Sequence, residues 1–385
     1  MNGKERVKAT IARGKTDRPA LSYEATYEVT EALIRHLGID QSVRAPSDRS
    51  SSNQPTAGKR EFGMAHELEL QHRLGIDQSI VICPTNPRTT VGNWWGLPLL
   101  ERLDDGRLRG AWGILFREFH YSYGSYIEID SCPLQKTDSM TELAEVPVPS
   151  LDLWDFDALK AVLPSYRDMY VWLNMNGCFD FARFMRGTEP FLMDMASAPE
   201  KAEVLLDKVN NLAIAFFRKS MEAAGDMFDG VYLGDDFGTQ QGMLMSPEMW
   251  RALVRPRYEK LLAVIKGSGK SYAHHTCGGV RPIIPDLIEM GVDVLNPIQP
   301  LAAGMDPAEL GEEFAERIAF YGGIDEQRTL PNGSPLDVQA EVRHRLRTLG
   351  RCGGYIVAPS HAFQPDTPLP NVLAVYETVL GRKIA

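Results

Sequence analysis

The chain has 385 residues, of which 44% are hydrophobic, 24% charged and 9% aromatic. These fractions are those of a globular protein and exclude a disordered, collagen-like or disulfide-scaffold chain. Forty-one Lys plus Arg against 51 Asp plus Glu give a net charge of −10, and no Lys/Arg stripe offers the basic face that nucleic-acid binding requires.

Met1 to Arg18 is basic, but no apolar core follows it, so a secretory signal is not expected. Glu5, Val7 and Ile11 suggest a short amphipathic helix there. Leu37-Gly38-Ile39-Asp40-Gln41-Ser42 recurs at Leu74 to Ser79; each copy closes a helical pattern, with Gly at the position that tolerates positive φ. Between the copies, Arg44 to Lys59 is rich in turn formers and reads as a loop. No apolar run reaches the roughly 18 residues that cross a bilayer. The five cysteines (Cys83, Cys132, Cys178, Cys277, Cys352) never fall in CxxC spacing, which points to free thiols and a cytoplasmic location.

Short apolar runs then alternate with longer helical patterns. Strands are expected at Pro19–Tyr23, Ser79–Pro84, Met169–Gly177, Gly230–Asp236, Ser271–Thr276, Val292–Gln299, Ala319–Asp325 and Tyr355–His361. Ser246-Pro247, Asp306-Pro307 and Ser334-Pro335 each place an N-cap before a proline at the first helical position. The Ser246 helix is expected to run to Ile265, and Ser334 with Asp337 forms a capping-box pattern. Eight strands alternating with helices imply a (β/α)8 TIM barrel; a doubly wound open sheet is the alternative, without the Gly-rich first turn it normally shows. Residues 111–130 break the alternation with aromatic and β-branched residues and read as an inserted β-hairpin whose aromatics pack. The expected organisation is therefore one domain over 1–385, with a helical and loop extension over 1–78.

In such a barrel the active site forms at the carboxyl ends of the strands. Polar residues accumulate there: Gly234-Asp235-Asp236, His274-His275-Thr276-Cys277, Asn296-Pro297-Ile298-Gln299 and Pro359-Ser360-His361. His275 and Cys277, at i and i+2, point to one face, so an imidazole and a thiol converge. With His361 from the eighth strand, and Asp236 as a candidate fourth, they supply the N, S and O donors zinc prefers, with an open position. A hydrogen-bonded histidine beside an inert buried thiol is the structural alternative. Adjacent Asp235 and Asp236 point to opposite faces; Asp236 is the candidate for the mouth, either as ligand or as a carboxylate anchoring a loop. Gly267-Ser268-Gly269-Lys270-Ser271 ends like a P-loop, but Val264 replaces the first glycine and a strand follows, so no phosphate cradle forms.

The run Asp229-Gly230-Val231-Tyr232-Leu233-Gly234-Asp235-Asp236-Phe237-Gly238, together with Met245-Ser246-Pro247, Arg255-Pro256-Arg257-Tyr258, His275-Thr276-Cys277-Gly278-Gly279, Gly291-Val292-Asp293-Val294-Leu295-Asn296-Pro297 and Ala358-Pro359-Ser360-His361, resembles the uroporphyrinogen decarboxylase-like superfamily. The resemblance implies a (β/α)8 barrel and one of two chemistries: cofactor-free decarboxylation of a porphyrinogen, or zinc-dependent methyl transfer to or from a corrinoid on a partner protein. The decarboxylase branch carries an N-terminal Met-Arg-Gln-Ala-Gly-Arg signature that grips carboxylates; here the stretch reads Pro19-Ala20-Leu21-Ser22-Tyr23-Glu24-Ala25. The methyltransferase branch carries His-x-Cys and a later cysteine as zinc ligands; His275 and Cys277 match, and His361 stands third.

The sequence thus leads to a zinc-dependent methyltransferase that exchanges a methyl group between a small substrate, a methyl ether (O-demethylation) or a thiol, and a corrinoid protein. His275, Cys277 and His361 are expected to hold the metal, and Tyr232, Asn296 and Gln299 to orient substrate. The alternative is a metal-free decarboxylase or lyase acting on a small organic acid, with Asp236 and His361 handling protons. A non-catalytic barrel that binds a partner is the third reading.

Overall fold

The computed structural model describes residues 1–39 and 64–385; the expected loop at Arg44 to Lys59 lies outside the described residues, as does the end of the first Leu-Gly-Ile copy. Each of the eight expected apolar runs forms a strand: β1 (Ala20–Leu21), β2 (Gln78–Val81), β3 (Tyr170–Asn176), β4 (Gly230–Gly234), β5 (Ser271–His275), β6 (Val294–Ile298), β7 (Ala319–Ile324) and β8 (Tyr355–Pro359). They are parallel and hydrogen-bonded in the order β1-β8-β7-β6-β5-β4-β3-β2. Between β1 and β2 the Asp77 N–H donates to the Leu21 carbonyl at 3.0 Å, and the Leu21 N–H to Asp77 Oδ2 at 2.9 Å. These two bonds bridge the ends of the sheet into a (β/α)8 barrel.

Alternation along each strand sends every second side chain inward. Tyr170, Trp172, Tyr232, Val294, Tyr321 and Ile356 fill the interior, and Val7 joins them from the helix Gly3–Ile11. That amphipathic helix is the one expected at the N-terminus, opened by an Asn2–Glu5 capping box. It seals the amino-terminal end of the barrel, opposite the strand ends that carry the polar residues: Lys4 N–H donates to the Asp168 carbonyl and Lys4 Nζ pairs with Asp229 at 3.1 Å. Both duplicated helix ends close through glycine at positive φ, Gly38 at 60° and Gly75 at 71°.

Two expectations change. The inserted hairpin is real (Leu115–Tyr121 with Gly124–Ser131), but it is the end of a five-stranded antiparallel sheet that begins at Gly92–Trp94 and continues through Leu97–Arg102 and Leu108–Gly110. The added strands are as short as three residues, too brief for alternation to register. Phe116 packs against Trp94, as the packing reading requires. Phe119, Tyr121, Tyr123 and Tyr126 instead stay 39–58% exposed. The helix from Ser246 is capped as expected, yet it passes through a π-turn at Trp250–Val254 before Arg255–Gly267. Pro256 is the physical reason: its missing N–H and its ring cannot continue a regular ladder, so the preceding turn widens.

Among the described residues no helix is long and apolar enough to cross a membrane. All five cysteines are free.

Candidate functional site

At the carboxyl ends of the strands a cavity of about 340 Å³ opens, lined from the segment after β1, from β2, β3, β4, β5 and the segment after β8, and by the helix Met64–Leu74. This volume suits a small molecule. His275 ends β5, and Cys277 follows two residues later, after the strand has formally closed. Thr276 N–H still donates to the Asn296 carbonyl at 2.7 Å, so the extended run continues one step and keeps the i, i+2 side chains on one face. Cys277 Sγ lies 3.6 Å from His275 Nε2, and the His275 and His361 rings are 5.8 Å apart. One donor atom from each of His275, Cys277 and His361 falls within 4.8 Å of the other two.

The polar neighbours of His275 fix its ring. Asn296 Oδ1 is 2.7 Å from His275 Nδ1 and accepts the Tyr232 hydroxyl proton at 2.6 Å; the Tyr232 oxygen is itself 2.5 Å from Nδ1. An amide oxygen only accepts, so Nδ1 carries the proton and Nε2 turns a lone pair toward Cys277. Burial, reinforced by His275, holds the His361 imidazole down to about 4, so His361 offers a ring-nitrogen lone pair at neutral pH. Burial, and then the Asp236 carboxylate, push the Cys277 thiol well above its ordinary value. Two imidazoles and a thiol that is costly to ionise unaided fit a divalent cation, whose charge offsets the penalty on the thiolate. The set matches the three-ligand pattern of catalytic zinc sites.

The adjacent aspartates divide as their alternation requires. Asp235 is fully buried and accepts from Phe179 N–H at 2.7 Å, Asp180 N–H at 2.6 Å and the Tyr258 hydroxyl at 2.7 Å, anchoring the helix Cys178–Arg186. Asp236 reaches the mouth, where Oδ1 accepts the Cys277 N–H at 2.8 Å and sits 3.8 Å from His275 Nε2. Tyr232 lies on the cavity wall; Asn296 sits behind it, against His275. Gln299 is turned to the loops, its Oε1 accepting from Gly278 N–H at 2.9 Å and from Gln240 Nε2 at 3.0 Å.

Sequence reasoning did not single out the far wall. Tyr23 and Glu24 follow β1, Glu67 and Gln71 come from the helix Met64–Leu74, and Trp95 from the inserted sheet. Glu24 accepts from the Tyr321 hydroxyl, which Ser22 Oγ also contacts at 2.7 Å. Burial raises the Glu24 carboxyl, against the opposing pull of that hydroxyl. A carboxylate three residues beyond a barrel strand was the available signal.

With this geometry in place, the chain can be set beside known proteins. It is 22% identical over 189 residues to uroporphyrinogen decarboxylase from Chlorobium limicola, covering 48% of this chain and 50% of that one. It is 26% identical over 179 residues to the enzyme of the same name from Thermus thermophilus, covering 46% and 47%. The chain thus spans about half the length of these curated relatives. A solved methyltransferase from Methanosarcina mazei shares the fold at a TM-score of 0.66 and 19% identity, covering 99% of each chain. Residues 128–381, about two thirds of the chain, match the family Uroporphyrinogen decarboxylase (URO-D), and the chain belongs to that family.

Proposed function

We propose that this chain is a zinc-dependent methyltransferase that exchanges a methyl group between the oxygen or sulfur of a small substrate and a corrinoid carried by a partner protein. The observation that carries the reading is the convergence of His275, Cys277 and His361 within 4.8 Å beside the cavity. Methyl transfer is the activity named for the Methanosarcina mazei neighbour, whereas the curated relatives are named as decarboxylases. The cavity favours the first: among the described residues its wall holds no lysine or arginine to grip a carboxylate substrate.

Zinc held by the three side chains would supply Lewis acidity to the substrate heteroatom. Tyr232 and Asn296 keep His275 in the tautomer that presents Nε2. Asp236 braces the turn at Cys277 and, 38% exposed beside the donors, is the carboxylate we assign to receive the proton when a substrate thiol ionises. Gln299 acts through the loop it holds rather than by touching substrate. One domain over 1–385 and a cytoplasmic setting, suggested by the five free thiols, belong to the same proposal.

Metal analysis of protein purified without chelator, combined with a methyl-exchange assay on added corrinoid protein, tests this. About one zinc per chain, with activity lost on chelation and restored by zinc, is expected. A metal-free chain whose activity survives chelation overturns it, and undiminished lyase turnover by Cys277→Ala establishes the decarboxylase alternative.

A further inference from the structure

The pairing of β7 with β8 closes at Ile324 and Pro359, just short of a metal donor. Ser360 still donates its N–H and its hydroxyl to the Ile324 carbonyl, each at 2.8 Å. The next two N–H groups, of His361 and Ala362, turn to a side chain instead. Glu326 Oε2 accepts from Ala362 at 3.2 Å, and the same carboxylate takes the His361 N–H. A backbone N–H withdrawn from water needs an acceptor, and Glu326 supplies it where the ladder stops.

The other donor-bearing turn is built the same way. Asp236 stands two residues beyond the end of β4 and accepts the N–H of Cys277, two residues beyond the end of β5, at 2.8 Å. Glu326 stands two residues beyond the end of β7, and His361 two residues beyond the end of β8. In each case a carboxylate reaches sideways from one strand end to the turn of the next, through a bond its charge strengthens. His361 depends on this support more than His275 does. Asn296 and Tyr232 fix the His275 ring, whereas among the described residues the His361 ring makes no hydrogen bond and meets only the edge of the His275 ring. Glu326 is not one of the donors that converge within 4.8 Å, so it orients a ligand rather than serving as one.

We propose that Glu326 is the positioning residue for His361: its carboxylate holds the turn after β8 so that the imidazole meets a cation together with His275 and Cys277. The metal half of this statement rests on the zinc reading of the site; the bracing of the turn does not.

Zinc and cobalt(II) are the probes, on the full chain. Glu326→Ala is expected to lower zinc affinity by about 10- to 100-fold in competition with a chromophoric chelator. Its cobalt spectrum should move toward that of His361→Ala while keeping the sulfur-to-cobalt band of Cys277. Glu326→Gln retains an acceptor oxygen and should return both readouts nearly to the parent, a rescue and a spectral change that a carboxylate serving stability alone would not produce. Should Glu326→Ala fail to fold, Glu326→Met, of similar length and without an acceptor, takes its place. In the metal-free chain, amide hydrogen exchange at His361 and Ala362 should be several-fold faster without the acceptor and slow again in Glu326→Gln. Unchanged zinc affinity and cobalt spectrum in Glu326→Ala, or a Glu326→Gln chain no better than it, overturns the proposal. A parent chain that takes up neither metal, with exchange at the turn still governed by Glu326, loses the zinc reading and keeps the brace. One that binds zinc equally well with and without Glu326 loses only the positioning role.

Discussion

Asp236 accepts the backbone N–H of Cys277 at 2.8 Å, so the carboxylate that ends the fourth strand region shapes the turn presenting the thiol of the fifth. The same oxygen lies 3.8 Å from His275 Nε2. Two roles are therefore separable, bracing the turn and contributing charge. Asp236→Ala removes both, and a loss of about 10- to 100-fold in zinc affinity is expected, as for other residues that orient metal ligands. Asp236→Asn keeps an oxygen for the Cys277 N–H and should recover most of that affinity. Competition with a chromophoric chelator measures both variants. Equal weakness of the two would make the charge, and hence direct ligation, the controlling term.

The ring of His275 depends on Asn296 and Tyr232 in unequal measure. Asn296 Oδ1 accepts the Nδ1 proton, so Asn296→Leu leaves the Tyr232 oxygen as its remaining neighbour and loosens the tautomer. Tyr232→Phe removes one hydroxyl but leaves the Asn296 contact. Zinc affinity is expected to fall by about 10- to 100-fold in the first variant and by less than about tenfold in the second. An Asn296→Leu chain with unchanged zinc affinity would show that Asn296 plays no part in holding the ligand.

These residues also show what a one-dimensional reading reaches. The β5 run showed the thiol and imidazole on one face because a period of two survives even where the ladder ends, and Thr276 continues it by one bond. His361 followed from counting strands, since strand ends in a closed barrel must converge. Gln299 was expected to orient substrate from the strand end alone; the residue after β6 turns to hold Gly278, and no periodicity encodes that turn. Glu67 and Gln71 were invisible because they sit on a helix whose pattern reports only which face is buried, not which cavity that face closes. The strands Gly92–Trp94 and Leu108–Gly110 are too short to show alternation and exist through their pairing with longer neighbours.

At the closed end of the barrel, Asp77 is the junction between β1, β2 and the N-terminal helix. Its carboxylate meets Arg6 Nη1 at 2.5 Å, Arg18 Nη1 at 2.7 Å and the Leu21 N–H at 2.9 Å, with only 2% of the side chain exposed. Removing it leaves Arg6, itself 5% exposed, with Asp17 as its remaining carboxylate partner. Asp77→Ala is expected to cost about 3–5 kcal/mol, the range for breaking a buried ion pair from one side. Denaturant unfolding reads this as a lower midpoint. A change below about 1 kcal/mol, the level of exposed pairs, would mean that water already solvates the junction.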